Sequence, residues 1–165
     1  MNATMEIRPM KEQDIPKLLE LYAHARKYMA KTGNPNQWTE DYPSREILLK
    51  DVMNGGYVIL DERSAITGAF ILEENAHELA YDTIDGKWLN DEPYGVIHRC
   101  ATLYNQRGIG QFFLDWCLKK CSNIRVDTHK DNLPMIKFLE KNNFTYCGVV
   151  HYEKVGARLA YQKIL

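Results

Sequence analysis

The segment VIHRCATLYNQRGIGQFFLDWC, residues 96–117, combines two patterns and decides the fold of this chain. Its first part, Val96 to Ala101, is a largely apolar run with the length of a buried strand. Its last part places apolar residues at the spacing of one helical face, at Ile109, Phe112, Phe113, Trp116 and Cys117. A short loop with Gly108 and Gly110 lies between them. We therefore predict a strand, a glycine-containing turn and a helix in this order.

The two glycines allow two interpretations. The first N–H groups of a helix have no partner within the helix and lie at the positive end of its dipole, so they can bind a phosphate. Gly108 and Gly110 would let the phosphate approach, and Arg107 would add a positive charge. Alternatively, the glycines only supply the backbone angles that a strand–helix turn needs. The segment by itself does not decide between these interpretations.

The rest of the chain predicts a single α/β domain over residues 1–165. One strand and two helices come first, and three strands, a helix, a strand, a helix and two closing strands follow. Asp14 and Ser44 are the expected N-caps of the first two helices. Residues 73–94 are polar and aromatic with little periodicity, which indicates a long loop or an irregular strand.

The composition excludes several function classes. The chain has 21 basic and 22 acidic residues and no basic run, so we expect no nucleic-acid partner. No stretch has the length of a membrane span, and the N-terminus lacks the apolar core of a signal peptide. The four cysteines form no CxxC pair and show no metal-ligand spacing. We expect a cytoplasmic protein with reduced thiols, no membrane association and no metal.

Two motifs resemble the GNAT superfamily of acyl-CoA-dependent N-acetyltransferases. The family's pyrophosphate signature, Q/R-x-x-G-x-G/A between a strand and a helix, is matched by residues 105–110, with Asn105 in place of Gln or Arg. A second family segment, N-x-x-A-x-x-x-Y-x-x-x-G-F, is similar to residues 132–144, where Asn132 and Phe144 match. Three residues depart from the second pattern, namely Met135 for Ala, Leu139 for Tyr and Asn143 for Gly.

The resemblance implies a mixed, mostly antiparallel central sheet with helices on both faces. It implies acetyl-CoA as co-substrate and transfer of the acetyl group to a primary amine of a small molecule or a protein. The thioester would be held by backbone groups of Cys100, Ala101 and Thr102, and the CoA arm by Asn132. The pyrophosphate would lie at the turn and the start of the helix, at Gln106, Arg107, Gly108, Ile109, Gly110 and Gln111.

A general base is expected near the thioester. Strict alternation along the strand would place Tyr94, Val96, His98 and Cys100 on one face. His98 is the first candidate because an unperturbed imidazole titrates near neutral pH. A structural, hydrogen-bonded histidine is the alternative. Glu73 is a weaker candidate, and we include Tyr94 among the catalytic candidates because it shares the predicted face.

Two further steps of the reaction stay open at the level of sequence. Cys100 could form an acyl-cysteine, although a small buried filler is the commoner role of a free cysteine in a strand. In the resembling family a tyrosine often protonates the departing CoA thiolate, and Leu139 replaces it here. Tyr146 and Tyr152, which follow Leu139 in the chain, are candidates to donate this proton in its place. Packing in a late strand is the alternative role of both.

Loop aromatics are candidates for the walls of an acceptor pocket, at Trp38, Tyr42, Tyr81 and Trp88. Covering a core edge is their alternative role. The sequence contains no acidic cluster that would indicate a polyamine acceptor and no basic cluster that would indicate a phosphorylated one. Two functions therefore stay open, an N-acetyltransferase and a catalytically silent acyl-CoA-binding module. A homodimer is compatible with either.

Overall fold

One sheet of eight strands organises this protein, in the order β1-β2-β3-β5-β6-β8-β7-β4. The structure is a computed structural model and describes residues 4–103 and 108–165. The strands are β1 Glu6–Pro9, β2 Gly56–Leu60, β3 Ile66–Glu73, β4 Asp85–Gly86, β5 Gly95–Thr102, β6 Asn123–Thr128, β7 Thr145–Tyr152 and β8 Gly156–Ile164. The α-helices are α1 Ile15–Lys31, α2 Arg45–Met53, α3 Ile109–Lys120 and α4 Leu133–Lys141.

The strands are antiparallel except for β5 and β6, which run parallel. Their ladder contains only the pairs Gly95–Ile124 and Val96–Arg125. On its other side β6 stays paired with β8 along its whole length, up to Thr128. The carboxyl-terminal halves of β5 and β6 therefore have no ladder between them, and a cleft can open at that end of the sheet.

Helices cover both faces of the sheet, as predicted. Residues of α1 and α2 form one buried cluster with Val58, Ala69 and Ala101 of the sheet. Residues of α3 and α4 form a second cluster with Phe70 and other strand residues on the opposite face. The prediction of a mixed, mostly antiparallel sheet between two helical layers is confirmed. None of the helices in the described ranges is long and apolar enough to cross a bilayer.

The helix starts agree with the sequence in one case and differ in the other. Ser44 caps α2, because its Oγ accepts a hydrogen bond from Ile47 N at 3.2 Å. Asp14 precedes α1 but does not cap it. Its carboxylate accepts the Lys11 amide at 2.8 Å and both terminal nitrogens of Arg8 at 2.8 and 2.9 Å. Asp14 thus lies at the predicted N-cap position, but its side chain does not cap the helix because an arginine and a preceding amide occupy the carboxylate.

A bulge interrupts β5 at Arg99. Ile71 of β3 pairs with His98, and Ala69 pairs with Ala101, so Arg99 and Cys100 together oppose a single residue. Arg99 has a φ of 44°, in the left-handed region. The extra residue breaks the alternation of side chains along the strand.

The bulge corrects the predicted face of β5. His98 and Ala101 pair with Ile71 and Ala69, which lie two residues apart and so share the α1/α2 face. Cys100 packs instead against the cluster on the α3/α4 face. The prediction that His98 and Cys100 share a face is therefore wrong.

Groups from three elements hold Arg99 in place. The Tyr22 hydroxyl, fully buried in α1, donates a hydrogen bond of 2.6 Å to the Arg99 carbonyl. The Arg99 guanidinium donates two hydrogen bonds to the Asp51 carboxylate in α2 and one of 3.1 Å to the Tyr42 hydroxyl. The bulge is thus fixed through both the backbone carbonyl and the side chain of Arg99.

Tyr22→Phe tests this anchor. The variant leaves a buried carbonyl without its hydroxyl donor, so we expect a loss of about 1–3 kcal/mol of unfolding free energy, measured by urea titration. Tyr146→Phe is the matched control, because the Tyr146 ring is 53% exposed. Equal stability of the two variants would show that the Tyr22 hydroxyl does not support the bulge.

Candidate active site

A cleft of about 340 Å³ lies where β5 and β6 separate. His98, Arg99 and Cys100 line it from β5, and Asp127 and Thr128 line it from β6. The α1–α2 loop closes it on one face of the sheet, and side chains of α3 and α4 close it on the other. The cleft therefore has two ends, one on each face of the sheet.

The start of α3 lies on the α3/α4 side of the sheet. Gly108 precedes the helix with a φ of 78°, and a Cβ at this residue would meet nothing within 4 Å. The first helical hydrogen bond runs from Phe112 N to Gly108 O, so the preceding three amides have no acceptor within the helix. These are the amides of Ile109, Gly110 and Gln111, which sequence analysis assigned to CoA binding. Gln106 and Arg107, assigned with them, lie outside the described residues.

Gly110 has a packing reason for its lack of a side chain. A Cβ at this residue would lie 3.0 Å from Cε2 of Phe138, in α4. The glycine therefore allows α3 to approach α4 closely. The Gln111 side chain donates a hydrogen bond of 2.8 Å to Asp115 on the helix surface, so only its backbone amide belongs to the helix end.

Asn132 joins the two sides of the cleft. Its Oδ1 accepts the Met135 amide and caps α4, and its Nδ2 donates a hydrogen bond of 3.0 Å to Gln37 Oε1. Gln37 Oε1 also accepts a hydrogen bond of 2.8 Å from Asn34 Nδ2. The expected CoA-arm residue is thus tied to the α1–α2 loop, a link that its motif does not reveal.

His98 lies at the edge of the cleft, and its Nε2 is 3.5 Å from Glu73 Oε2. Burial, together with the neighbouring Arg99 guanidinium, lowers the pKa of His98 to about 4. The imidazole is therefore neutral at neutral pH, and its contact with Glu73 is not an ion pair. The structure brings these two catalytic candidates together at the end of β3 and the middle of β5.

The third catalytic candidate, Tyr94, lies apart from His98. Its hydroxyl accepts the Glu78 amide at 3.0 Å, and its ring lies 4.0 Å from the Arg125 guanidinium carbon. Trp88 stacks on the same guanidinium at 4.1 Å, and its Nε1 donates to the Tyr81 carbonyl. Tyr94 and Trp88 therefore pack around a buried arginine.

Of the predicted pocket aromatics, Trp38 and Tyr42 line the cleft. Their rings are 5.9 Å apart, and Trp38 also packs on Tyr22. Tyr81 and Trp88 are core residues with 1% and 8% exposure, which corrects their assignment as pocket walls. Tyr81 nevertheless contributes to the site, because its hydroxyl reaches Asp127.

Sequence analysis missed two charged residues of the cleft, Asp127 and Arg158. Asp127 Oδ2 accepts hydrogen bonds from Tyr81 at 2.7 Å and from Tyr152 at 2.6 Å. Burial raises the pKa of Asp127, although both hydroxyls oppose the shift. Arg158 is 6% exposed and lies in β8, beside β6. Only the pairing of these distant strands brings the two residues into one cleft, so no local motif indicates them.

A solved structure decides the family. An acetyltransferase of the GNAT family from Streptococcus agalactiae 2603 is 35% identical to this chain, with 99% of each chain covered and a TM-score of 0.87. The chain belongs to the GNAT family of acetyltransferases. A GNAT acetyltransferase from Listeria monocytogenes 4b F2365 shares the fold at 16% identity over 99% of this chain and 100% of the other, with a TM-score of 0.71.

A further GNAT neighbour was solved with a ligand. It is a phosphinothricin acetyltransferase from Sinorhizobium meliloti in complex with AcCoA, 18% identical over 100% of this chain and 89% of the other, with a TM-score of 0.66. No family model and no curated protein sequence matches the chain. Residues 4–103 and 108–165 contain no group of three or more His, Cys, Asp or Glu side chains that could hold a metal ion.

The low pKa of His98 predicts a pH dependence of stability. The unfolded imidazole titrates at 6.5 and the folded one at about 4, so the unfolded chain binds the proton first as the pH falls. The stability that this residue contributes above pH 6.5 is therefore lost as the pH falls towards 4, by up to about 3 kcal/mol.

Urea unfolding at pH 7 and at pH 4.5 measures this effect. We expect His98→Gln to lose less stability between the two pH values than the parent chain does. His151→Gln is the control, since His151 is exposed on β7. A parent-like loss in His98→Gln would contradict the low pKa.

Proposed function

We propose that the protein is an acetyl-CoA-dependent N-acetyltransferase that passes the acetyl group to a primary amine by direct attack on the thioester. The cleft between β5 and β6 is the feature that supports this proposal. Phe113 and Leu114 of α3 line it on one face of the sheet, and Trp38 and Tyr42 wall a chamber on the other. A donor and an acceptor could therefore enter from opposite faces and meet between the strands.

The exposed edge of β5 suits the donor. Beyond Val96 its backbone has no partner in β6, so its N–H and C=O groups on that side can bond an extended chain that carries amides. The pantetheine arm of CoA is such a chain. We assign the thioester to the backbone of Cys100, Ala101 and Thr102, and the pyrophosphate to the α3 amides that follow Gly108. The AcCoA-bound GNAT neighbour supports acetyl-CoA as the donor.

Direct attack requires an amine that has lost its proton. The amine nitrogen forms a bond to the acetyl carbon, the carbon–sulfur bond breaks, and a base must take the ammonium proton. His98 is neutral at pH 7 because its pKa is about 4, so its ring nitrogen can accept a hydrogen bond from the amine but is too weakly basic to keep the proton. We propose that it passes the proton to Glu73, whose Oε2 lies 3.5 Å away and whose side chain is half exposed.

Cys100 is a poor nucleophile in this setting. Burial raises the pKa of its thiol to about 12, and only the thiolate form attacks a thioester efficiently. Its side chain also lies on the α3/α4 face, away from His98. These two facts favour direct attack by the amine over an acyl-cysteine.

No tyrosine among the candidates suits the CoA thiolate as a proton donor. Leu139 is 2% exposed and fills the core at the family's tyrosine position. Tyr146 is 53% exposed on β7. Tyr152 lines the cleft, but burial and the Asp127 charge raise its pKa far above the usual value. We propose that the sulfur leaves as the thiolate, which is stable enough because thiols titrate at about 8.5.

A catalytically silent acyl-CoA-binding module is the second candidate function. Leu139 favours it, since the residue cannot donate a proton. Free thiols at Cys100, Cys117, Cys121 and Cys147 support the cytoplasm as the compartment for either function.

Binding and turnover separate the two functions. Acetyl-CoA should raise the melting temperature under both, and no effect would contradict both. Thiol release across a panel of amines is expected only of the enzyme. Binding without release from any amine would favour the silent module.

His98→Gln tests the base. We expect kcat to fall by about 10²-fold or more while the acetyl-CoA-induced rise in melting temperature is unchanged. His151→Gln, on the exposed part of β7, should keep the parent activity. Parent-like turnover of His98→Gln would exclude His98 as the base.

A further inference from the structure

We propose that the acceptor is an amine that also carries a carboxylate, an amino acid, and that Arg158 binds this carboxylate. The inference rests on the proposed N-acetyltransferase function and names the substrate class of the same cleft. The Arg158 guanidinium is the group that carries it. The reaction would then join the acetyl carbon to the amino nitrogen of the bound amino acid, with the thiolate as leaving group and the proton passing to His98.

Arg158 has an incomplete set of partners. Its Nη1 donates hydrogen bonds of 2.9 Å to the backbone carbonyls of Val155 and Ala157. Its other N–H groups donate to no acceptor among residues 4–103 and 108–165, and no carboxylate of those residues lies within 4.0 Å of it. The residue as a whole is only 6% exposed, and it lines the cleft, where its nitrogens without an acceptor still reach solvent.

Of two other buried arginines, one has a carboxylate partner and the other is held between aromatic rings. Arg99, in the same cleft, donates to Asp51 and Tyr42. Arg125 is 4% exposed and lies between the rings of Trp88 and Tyr94. It donates to the Asn90 carbonyl, while its Nε has no acceptor among the described residues. A buried cation without a counter-charge is costly. A bound anion would supply Arg158 with the partner that the described residues do not.

Asp127 attracts Arg158 electrostatically but forms no ion pair with it. Its Oδ2 accepts the two tyrosine hydroxyls, and no atom of the carboxylate reaches Arg158 within ion-pair distance. Asp127 and Glu78 instead give the cleft negative charge that attracts an ammonium group. A simple amine would satisfy these carboxylates and leave Arg158 unpaired. A molecule with one ammonium and one carboxylate group matches both signs of charge.

The position of Arg158 favours the acceptor over the phosphates of CoA. Asp127 pairs with Ala160, so these residues share a face of the sheet, and Arg158 is two residues from Ala160 on the same face. Ala160 belongs to the cluster around Tyr81 and Val150, not to the α3/α4 cluster. Arg158 therefore lies on the face opposite the start of α3, where we assign the pyrophosphate.

Thiol release with free L-amino acids and with their carboxamides tests the proposal on the unmodified protein. We expect the best amino acid to exceed its amide in kcat/KM by about 10-fold or more, since the amide cannot pair with Arg158. Release from amides or simple amines as fast as from the acids would overturn the proposal and leave the N-acetyltransferase function intact. No release from any compound would contradict the N-acetyltransferase function itself, and the inference with it.

The variant Arg158→Met tests whether Arg158 causes the preference for amino acids over their carboxamides. We expect this variant to lose the preference for acid over amide through a raised KM, while the acetyl-CoA-induced rise in melting temperature stays at the parent value. Arg158→Lys should retain part of the preference because it keeps the charge. Arg63→Met, in the exposed β2–β3 hairpin, is the control and should behave like the parent.

Two results would reassign Arg158. An equal loss of acetyl-CoA binding in Arg158→Met and Arg158→Lys would make the residue a CoA ligand. A clear preference for aminophosphonates over amino acids in the same assay would show that the oxyanion is not a carboxylate. If Arg158→Met does not fold, the acid-to-amide ratio of the parent and of Arg158→Lys decides the question.

Discussion

The parallel ladder between β5 and β6 ends after two residue pairs, and the site depends on that early end. β6 stays paired with β8 up to Thr128, so the sheet separates between β5 and β6 and not between β6 and β8. The gap leaves one edge of β5 free in the middle of the sheet. A free strand edge in a sheet centre is a place where an extended substrate can take over the missing hydrogen bonds. In this GNAT chain the donor site, the base and the acceptor chamber that we propose all border that gap.

The bulge at Arg99 gives the gap its chemistry. It turns His98 to one face of the sheet and Cys100 to the other, so the two faces receive different groups from one strand. The bulge is held at the Arg99 guanidinium by Asp51 and Tyr42, and at the Arg99 carbonyl by Tyr22. The Arg99 charge also helps to keep the His98 imidazole neutral. The ion-paired Arg99 thus shapes the proposed catalytic edge. Arg158, which has no ion pair with a carboxylate of the described residues, is proposed to select the acceptor.

Much of the fold could be predicted from periodicity, because the core strands and helices have clear apolar patterns. Periodicity predicts the turn that contains Gly108 and a helix that begins close to it. The bulge at Arg99 could not be predicted, because a residue inserted in a strand leaves no local signal in the sequence. For this reason Cys100 was predicted on the wrong face of β5. Asp14 lies at the predicted N-cap position, but its carboxylate bonds Arg8 of the preceding strand instead of the helix. Asp127 and Arg158 meet only through strand pairing, which a sequence without homologues does not reveal.

The central claim is that the gap between β5 and β6 holds the acetyl thioester between donor and acceptor sides. A crystal structure with CoA bound tests it most directly. We predict that the pantetheine arm lies along the free edge of β5 and that the sulfur lies near Cys100 and Ala101, on the path to His98. A CoA molecule bound elsewhere, with its sulfur outside this gap, would contradict the account.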